Sequence, residues 1–249
     1  MAAPRASARP DRARSQHFLR SGALARELVR DAGIGSDDVV LDLGAGSGRL
    51  TRALAQRARR VVAVELDPHW VAHLRGRWPN VVVVEGDAAE IALPSVPFHV
   101  VANLPFSRTT AILHRLLDDP RTPLVHAHVI VEWGVAVKRS LPWPSTLNDV
   151  LWGAWYRFAL LRRLPAAAFE PAPAVDAGVL AIERRAAPLV AEAGWRTYRA
   201  FVSSGFRGGL RAVATPRTLR RLGVSGSVPR NLDPYQWAKL FEEARRPAR

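Results

Sequence analysis

Val39-Val40-Leu41-Asp42-Leu43 runs directly into Gly44-Ala45-Gly46-Ser47-Gly48, and Leu50, Leu54 and Ala58 follow at helical spacing. A short apolar run, a glycine cluster and a 3.6-residue periodicity, in that order, predict strand, tight turn and helix. Glycine lets the backbone turn sharply and lets a ligand approach with no Cβ in the way. NAD and FAD enzymes use similar turns, so the loop alone does not choose a ligand. Its spacing differs from their G-x-G-x-x-G, and Asp42 before it suits a cationic amino-acid moiety better than a pyrophosphate.

Outward from this unit the same alternation recurs. Val61 to Val64 reads as a second strand ending at Glu65, Pro68 to Arg77 as a helix, and Val81 to Val84 as a strand ending near Asp87. Phe98 to Ala102 is a fourth strand ending at Asn103; Thr109 to Leu117 is helical, and Val125 to Val131 is a further strand. Upstream, Ser21 to Ala32 reads as a helix. Strands separated by helices of this length predict an α/β, doubly wound parallel sheet, in which ligands bind at the carboxyl ends of the strands. Gly44, Ala45 and Gly46, Glu65 with Leu66, Asp87 with Ala88, and Asn103 all fall at that one edge.

Each position has a chemistry to offer. Glu65 can accept two ribose hydroxyls. Asp87 can accept an adenine amine of a nucleoside cofactor, with the N–H of Ala88 beside it. Taken singly, each acid also fits a solvated strand end or a helix cap, a reading that the set together with the glycine loop disfavours. Asn103-Leu104-Pro105-Phe106 is the most specific stretch. An adenine amine is a poor nucleophile because its lone pair is delocalised into the ring. The Asn103 side-chain oxygen and the Leu104 carbonyl, accepting its two N–H groups, favour a pyramidal nitrogen aimed at a methyl sulfonium. Pro105 fixes the backbone that carries that carbonyl, and Phe106 offers a face on which an extruded base stacks. The same four residues also describe a simple turn after a strand.

Charge is unevenly distributed. The 249-residue chain carries a net +14. Residues 1–30 contribute +5 and residues 184–249 contribute +10, while the middle is near neutral at −1. Cationic flanks around a neutral core predict a polyanion partner. An arginine-rich genome offers the other reading, since only Lys138 and Lys239 are lysines, although such a bias has no reason to spare the middle. Arg108, beside the reaction centre, and Lys138 are the candidate phosphate contacts; for Lys138 a solvated helix end is the equal alternative. The tryptophans read as packing residues. The absence of cysteine excludes disulfides, thiolate zinc sites and a cysteine nucleophile. No apolar run reaches the roughly 20 residues a membrane span needs, and Met1 to Arg14 precedes no apolar signal core. The expected location is the cytoplasm, with no membrane partner and no metal.

Taken together the motifs resemble the Erm/KsgA group of rRNA adenine-N6 methyltransferases. Ser15-Gln16-His17-Phe18-Leu19 is similar to its N-terminal signature, and Leu41 to Gly48, Glu65, Glu85 to Ala88 and Asn103 to Phe106 follow in the group's order. Phe169-Glu170-Pro171-Ala172-Pro173-Ala174-Val175-Asp176 resembles its F-x-P-x-P-x-V-D motif. Composition predicts a basic, disordered arm over 1–14, and helical stretches around Tyr198 to Phe206, Thr218 to Leu222 and Tyr235 to Ala244 predict a small basic helical domain over 186–249; the resemblance implies a Rossmann-like methyltransferase domain over 15–185 and RNA binding by the helical one. It implies S-adenosylmethionine as cofactor, with Gln16 at its methionine part, Phe18 nearby, and Phe169 helping to hold the target base. Glu132 to Arg139 and the Trp-rich stretch at Trp143, Trp152 and Trp155 look like actinobacterial Erm enzymes, which usually carry Gln at position 132 and a bulkier charged residue at 134. Erm resemblance implies a monomer that methylates, once or twice, one adenine of 23S rRNA and confers macrolide, lincosamide and streptogramin B resistance. A KsgA-type dimethylase of 16S rRNA, a non-catalytic RNA-binding relative and a DNA adenine methylase are the other readings.

Overall fold

The computed structural model describes residues 17–246 apart from 142 and 144. The arm expected over 1–14 and Gln16 lie outside the described residues. The chain opens with β1 (Phe18–Leu19) and α1 (Gly22–Asp31), then alternates through β2 (Val39–Leu43), α2 (Arg49–Ala55), β3 (Arg60–Glu65), α3 (Pro68–Leu74), β4 (Val81–Glu85), β5 (Phe98–Asn103), α4 (Thr109–Leu117) and β6 (Leu124–Glu132). Helices α5 (Trp133–Ser140) and α6 (Leu147–Gly153) lead to β7 (Tyr156–Leu164), the short β8 (Phe169–Glu170) and β9 (Ala177–Arg184). Three further helices, α7 (Trp195–Gly208), α8 (Pro216–Arg221) and α9 (Pro234–Ala244), end the described chain.

Seven strands form one sheet in the order β4-β3-β2-β5-β6-β9-β7. Strands β2 to β6 are parallel to one another, and β9 lies antiparallel between β6 and β7. The doubly wound parallel sheet expected is thus present in β2 to β6, with an antiparallel pair, β9 and β7, added on one side. Strand β7 is an edge whose Arg157, Ala159, Leu161 and Arg163 are exposed in alternation, the period-2 pattern of a half-covered strand. Strand β9, buried over its first six residues, lacks such a pattern.

Alternation along the strands divides the core. Val40, Val61, Val101 and Ile130 face α1 and α2 and pack on Leu28, Val29, Leu50 and Leu54. Leu41, Leu43, Val100, Ala102, Val129 and Val131 face the other way, onto Ile112, Leu113 and Leu116 of α4. Tyr198, Val202, Trp237, Leu240 and Phe241 from the terminal helices join that second cluster through Trp152 and Trp155. Trp152 and Trp155 are thus packing residues, whereas Trp143 is exposed. Burying each large apolar side chain contributes about 1.5–3 kcal/mol, which welds the C-terminal helices to the sheet. Helix α9 starts on a capping box between Asp233 and Gln236 with Pro234 in its first turn, an entry that satisfies backbone donors otherwise left open. No helix among the described residues is long and apolar enough to cross a membrane.

Candidate active site

Because β2 to β5 run parallel, the residues that end them share one edge. The loop after β2 takes positive φ at Gly44 (79°), Gly46 (50°) and Gly48 (78°). Two of these glycines are also points of close approach. A Cβ on Gly44 would stand 3.0 Å from Cδ of Pro105, and one on Gly46 would stand 2.5 Å from Cε1 of Phe18. The loop is thus pressed between the turn at Pro105 and the Phe18 ring, which in turn meets Trp70 edge-on at 5.1 Å.

Glu65, almost wholly buried, organises that loop. Its Oε2 accepts the Gly46 N–H at 2.7 Å and its Oε1 accepts those of Leu66 and Asp67 at 2.8 and 2.9 Å. A carboxylate has about four acceptor sites, so two ribose hydroxyls need one backbone bond to give way. Leu66 presents an exposed apolar side chain beside it. Asp42 is not a ligand group: it is buried, accepts the Thr51 hydroxyl at 2.6 Å, and is pushed up to about 7 by burial, with the charge of Glu65 adding to the rise. Asp87, after β4, accepts the Ala89 N–H at 2.9 Å through Oδ1, and Ala88 is buried beside it.

Asn103 ends β5 with its amide divided in function. Nδ2 donates to the main-chain carbonyl of His17 at 2.6 Å. A carbonyl only accepts, so Oδ1 must point the other way; it is buried without a partner among the described residues. A buried acceptor left open is costly, and this one suits an incoming N–H. Leu104 is buried, its N–H donating to the carbonyl of Ile130 at 3.0 Å. The Pro105 carbonyl takes the N–H of Arg108 at 2.9 Å and the Thr109 hydroxyl at 3.2 Å, which locks the turn holding Phe106. The His17 ring stands 5.6 Å from the Phe106 ring.

His17 has two partners that its sequence neighbourhood does not show. Its Nδ1 lies 2.8 Å from the Pro171 carbonyl, so that nitrogen carries the proton. Only the fold brings these partners together, across 154 positions in one case and 86 in the other. Its neighbours Phe18 and Leu19 pair antiparallel with Glu170 and Phe169. Phe169, expected to hold a base, is fully buried in the cluster with Leu19, Leu28 and Val101; its ring has no face open to a base. Lys138 is exposed on α5, whereas Arg139 is drawn inward onto Asp149 and over the Trp152 ring at 5.0 Å. Arg108 is paired with Asp87. A depression of about 470 Å³ lined by His114, Arg115 and Asp118 contains none of these residues and adjoins the loops that precede β5 and β6.

A glycine loop, strand-end acids and an open buried amide oxygen on one edge of a Rossmann-like sheet fit an S-adenosylmethionine-dependent methyltransferase, and comparisons with known proteins show that class. The profile of the family described as "Ribosomal RNA adenine dimethylase" matches residues 10–223. The mycinamicin-resistance protein MyrB of Micromonospora griseorubida is 36% identical over 240 residues, covering 91% of this chain and 76% of that protein. An rRNA methyltransferase of Streptomyces thermotolerans is 34% identical over 93% of this chain and 82% of its own length. Among solved structures, the 23S rRNA methyltransferase ErmE superimposes with a TM-score of 0.80 at 29% identity, over 92% of this chain and all of the other. The chain belongs to the ribosomal RNA adenine dimethylase family and is an S-adenosylmethionine-dependent rRNA methyltransferase.

Proposed function

We propose that the chain methylates the exocyclic N6 of one adenine in 23S rRNA and thereby confers resistance to macrolides, lincosamides and streptogramin B. The observation that carries the chemistry is the open, buried Oδ1 of Asn103. The likeness to a mycinamicin-resistance protein and to a 23S rRNA methyltransferase over most of the chain supports the substrate.

S-adenosylmethionine supplies an electrophilic methyl group on a sulfonium. Gly44, Ala45 and Gly46 would cradle it, Glu65 would hold its ribose beside Leu66, Asp87 and Ala88 would take its adenine, and Phe18 would close its methionine end, where the family resemblance also puts Gln16. Asn103 Oδ1 and the Leu104 carbonyl accept the two N–H groups of the target amine. Its lone pair would thereby be freed from the ring to accept the methyl group that the sulfonium gives up, with S-adenosylhomocysteine as the leaving group and the amine proton passing to water. Phe106 stacks the extruded base, Pro105 fixes the turn, and Phe169 supports it from beneath through the β1–β8 pair. Catalysis is then positioning and preorganised polarity, with no strong base. Arg108, Lys138 and the basic helical segment over 186–249 hold RNA phosphate, while 15–185 carries the reaction. All these groups come from one chain, which acts as a monomer.

Labelled methyl transfer to naked 23S rRNA, compared with immature 30S particles, tests the substrate. Incorporation into 23S rRNA supports it; label entering only 30S particles means that the enzyme is a 16S rRNA dimethylase.

A further inference from the structure

Asp87 and Arg108 belong to different halves of the proposed reaction. Asp87 lies in the loop just after β4 and, on the reading above, accepts the amine of the cofactor's adenine. Arg108 closes the turn that carries Phe106, two residues from the ring on which the target base stacks. The structure joins them: Arg108 Nη2 donates to Asp87 Oδ2. Asp87 Oδ1 is already committed to the Ala89 N–H at 2.9 Å. The oxygen that faces away from its own loop is therefore the one the guanidinium occupies.

We propose that this ion pair couples cofactor binding to RNA binding. The cofactor's amine and the Arg108 guanidinium compete for the outward side of this carboxylate. When the amine takes it, the guanidinium swings free beside Phe106 and takes a phosphate flanking the target nucleotide. Both side chains are open to water, at 45% and 24% exposure. A pair so exposed is weak, so exchanging it for a phosphate, a bidentate partner for arginine, is cheap. Arg108 thus acts as a positioning residue that registers cofactor occupancy. Linkage makes the effect reciprocal: whatever factor the cofactor adds to RNA affinity, RNA adds to cofactor affinity.

The inference rests on Asp87 as the adenine acceptor, and its test separates the two ideas. Binding of naked 23S rRNA is measured with and without S-adenosylhomocysteine across a range of KCl concentrations. In the wild type the nucleoside tightens RNA binding about fivefold and steepens the salt dependence by about one phosphate contact, a change of roughly 0.7–0.9 in log–log slope. In Arg108→Gln both effects vanish, the slope without nucleoside stays that of the wild type, and S-adenosylhomocysteine binds at least as tightly. Arg108→Lys retains the charge and restores part of the slope. Wild-type RNA binding indifferent to the nucleoside, full coupling retained in Arg108→Gln, or weakened nucleoside binding in that variant each overturns the coupling. Asp87→Asn with unchanged S-adenosylhomocysteine affinity overturns the placement of Asp87 itself.

Discussion

Asn103 reaches across 86 positions to His17, its Nδ2 donating to the His17 carbonyl at 2.6 Å while its Oδ1 stays buried and open. One bond thus fixes which end of the amide faces the substrate. Asn103→Ala removes the acceptor, and Asn103→Asp removes the donor that orients it. Both are expected to lower kcat by about 10²–10³-fold with RNA affinity nearly unchanged. Single-turnover methyl transfer measures this, and an Asn103→Ala enzyme at wild-type rate would show that the oxygen does not act on the amine.

Gly46 adjoins Phe18 so closely that a methyl group there meets the ring at 2.5 Å, on a backbone with φ of 50°. Gly46→Ala is expected to cost about 1–2 kcal/mol in backbone strain and to weaken S-adenosylhomocysteine binding at least tenfold. Adding Phe18→Ala relieves the clash and leaves the strain, so the double variant recovers only part of the affinity by calorimetry. Unaltered affinity in Gly46→Ala contradicts the placement of the cofactor against this loop.

The pH dependence of stability sets half-buried His126 against buried Asp42. His126 touches His99, their Nδ1 atoms 2.9 Å apart, and burial, together with the charges of His99 and His128, lowers it to about 4. The unfolded chain takes up this proton near 6.5 while the folded chain refuses it until about 4, so stability is lost as pH falls through that window. Asp31, Asp38 and Glu183 also face this histidine group and temper the loss. Asp42, raised to about 7, has the opposite sign: the folded state binds its proton more tightly, and stability is gained as pH falls from about 7 towards 4. Urea unfolding from pH 7.5 to 4.5 should therefore steepen in Asp42→Asn and flatten or reverse in His126→Gln, a difference on the order of 2 kcal/mol after allowance for solvent screening. Parallel curves for the two variants contradict this assignment.

Gly205 on α7 stands where an added methyl would lie 2.4 Å from Cη2 of Trp237. Alanine in a helix interior ordinarily stabilises by up to about 1 kcal/mol relative to glycine; here Gly205→Ala is expected to destabilise. Trp237→Ala, which empties a fully buried site, is expected to cost about 3–5 kcal/mol. Denaturant midpoints measure both. A stabilised Gly205→Ala indicates that the terminal helices pack loosely on the sheet.

The parallel half of the sheet was legible because its signals are local. Valine runs bounded by Gly44, Glu65, Asp87 and Asn103 placed β2 to β5 within a residue or two of their observed ends. Strands β7 and β9 carry no clear signal in the sequence: Tyr156 to Leu164 alternates in exposure, but Phe158 to Leu161 are apolar in a row. The Trp-rich stretch before it and the proline-rich stretch after it obscured the antiparallel pair. In the site, the glycines and acids were visible as types, whereas the His17–Asn103 and Arg108–Asp87 contacts are products of tertiary folding between distant turns. Phe169 was legible as a motif residue, but its burial depends on pairing with β1.

Mass spectrometry of 23S rRNA from sensitive cells expressing the chain is the most direct measurement. A single adenine carrying one or two methyl groups on N6, absent from cells expressing Asn103→Ala and accompanied by macrolide resistance, is the predicted result. Unmodified 23S rRNA beside newly methylated 16S rRNA, or resistance that persists with Asn103→Ala, contradicts it.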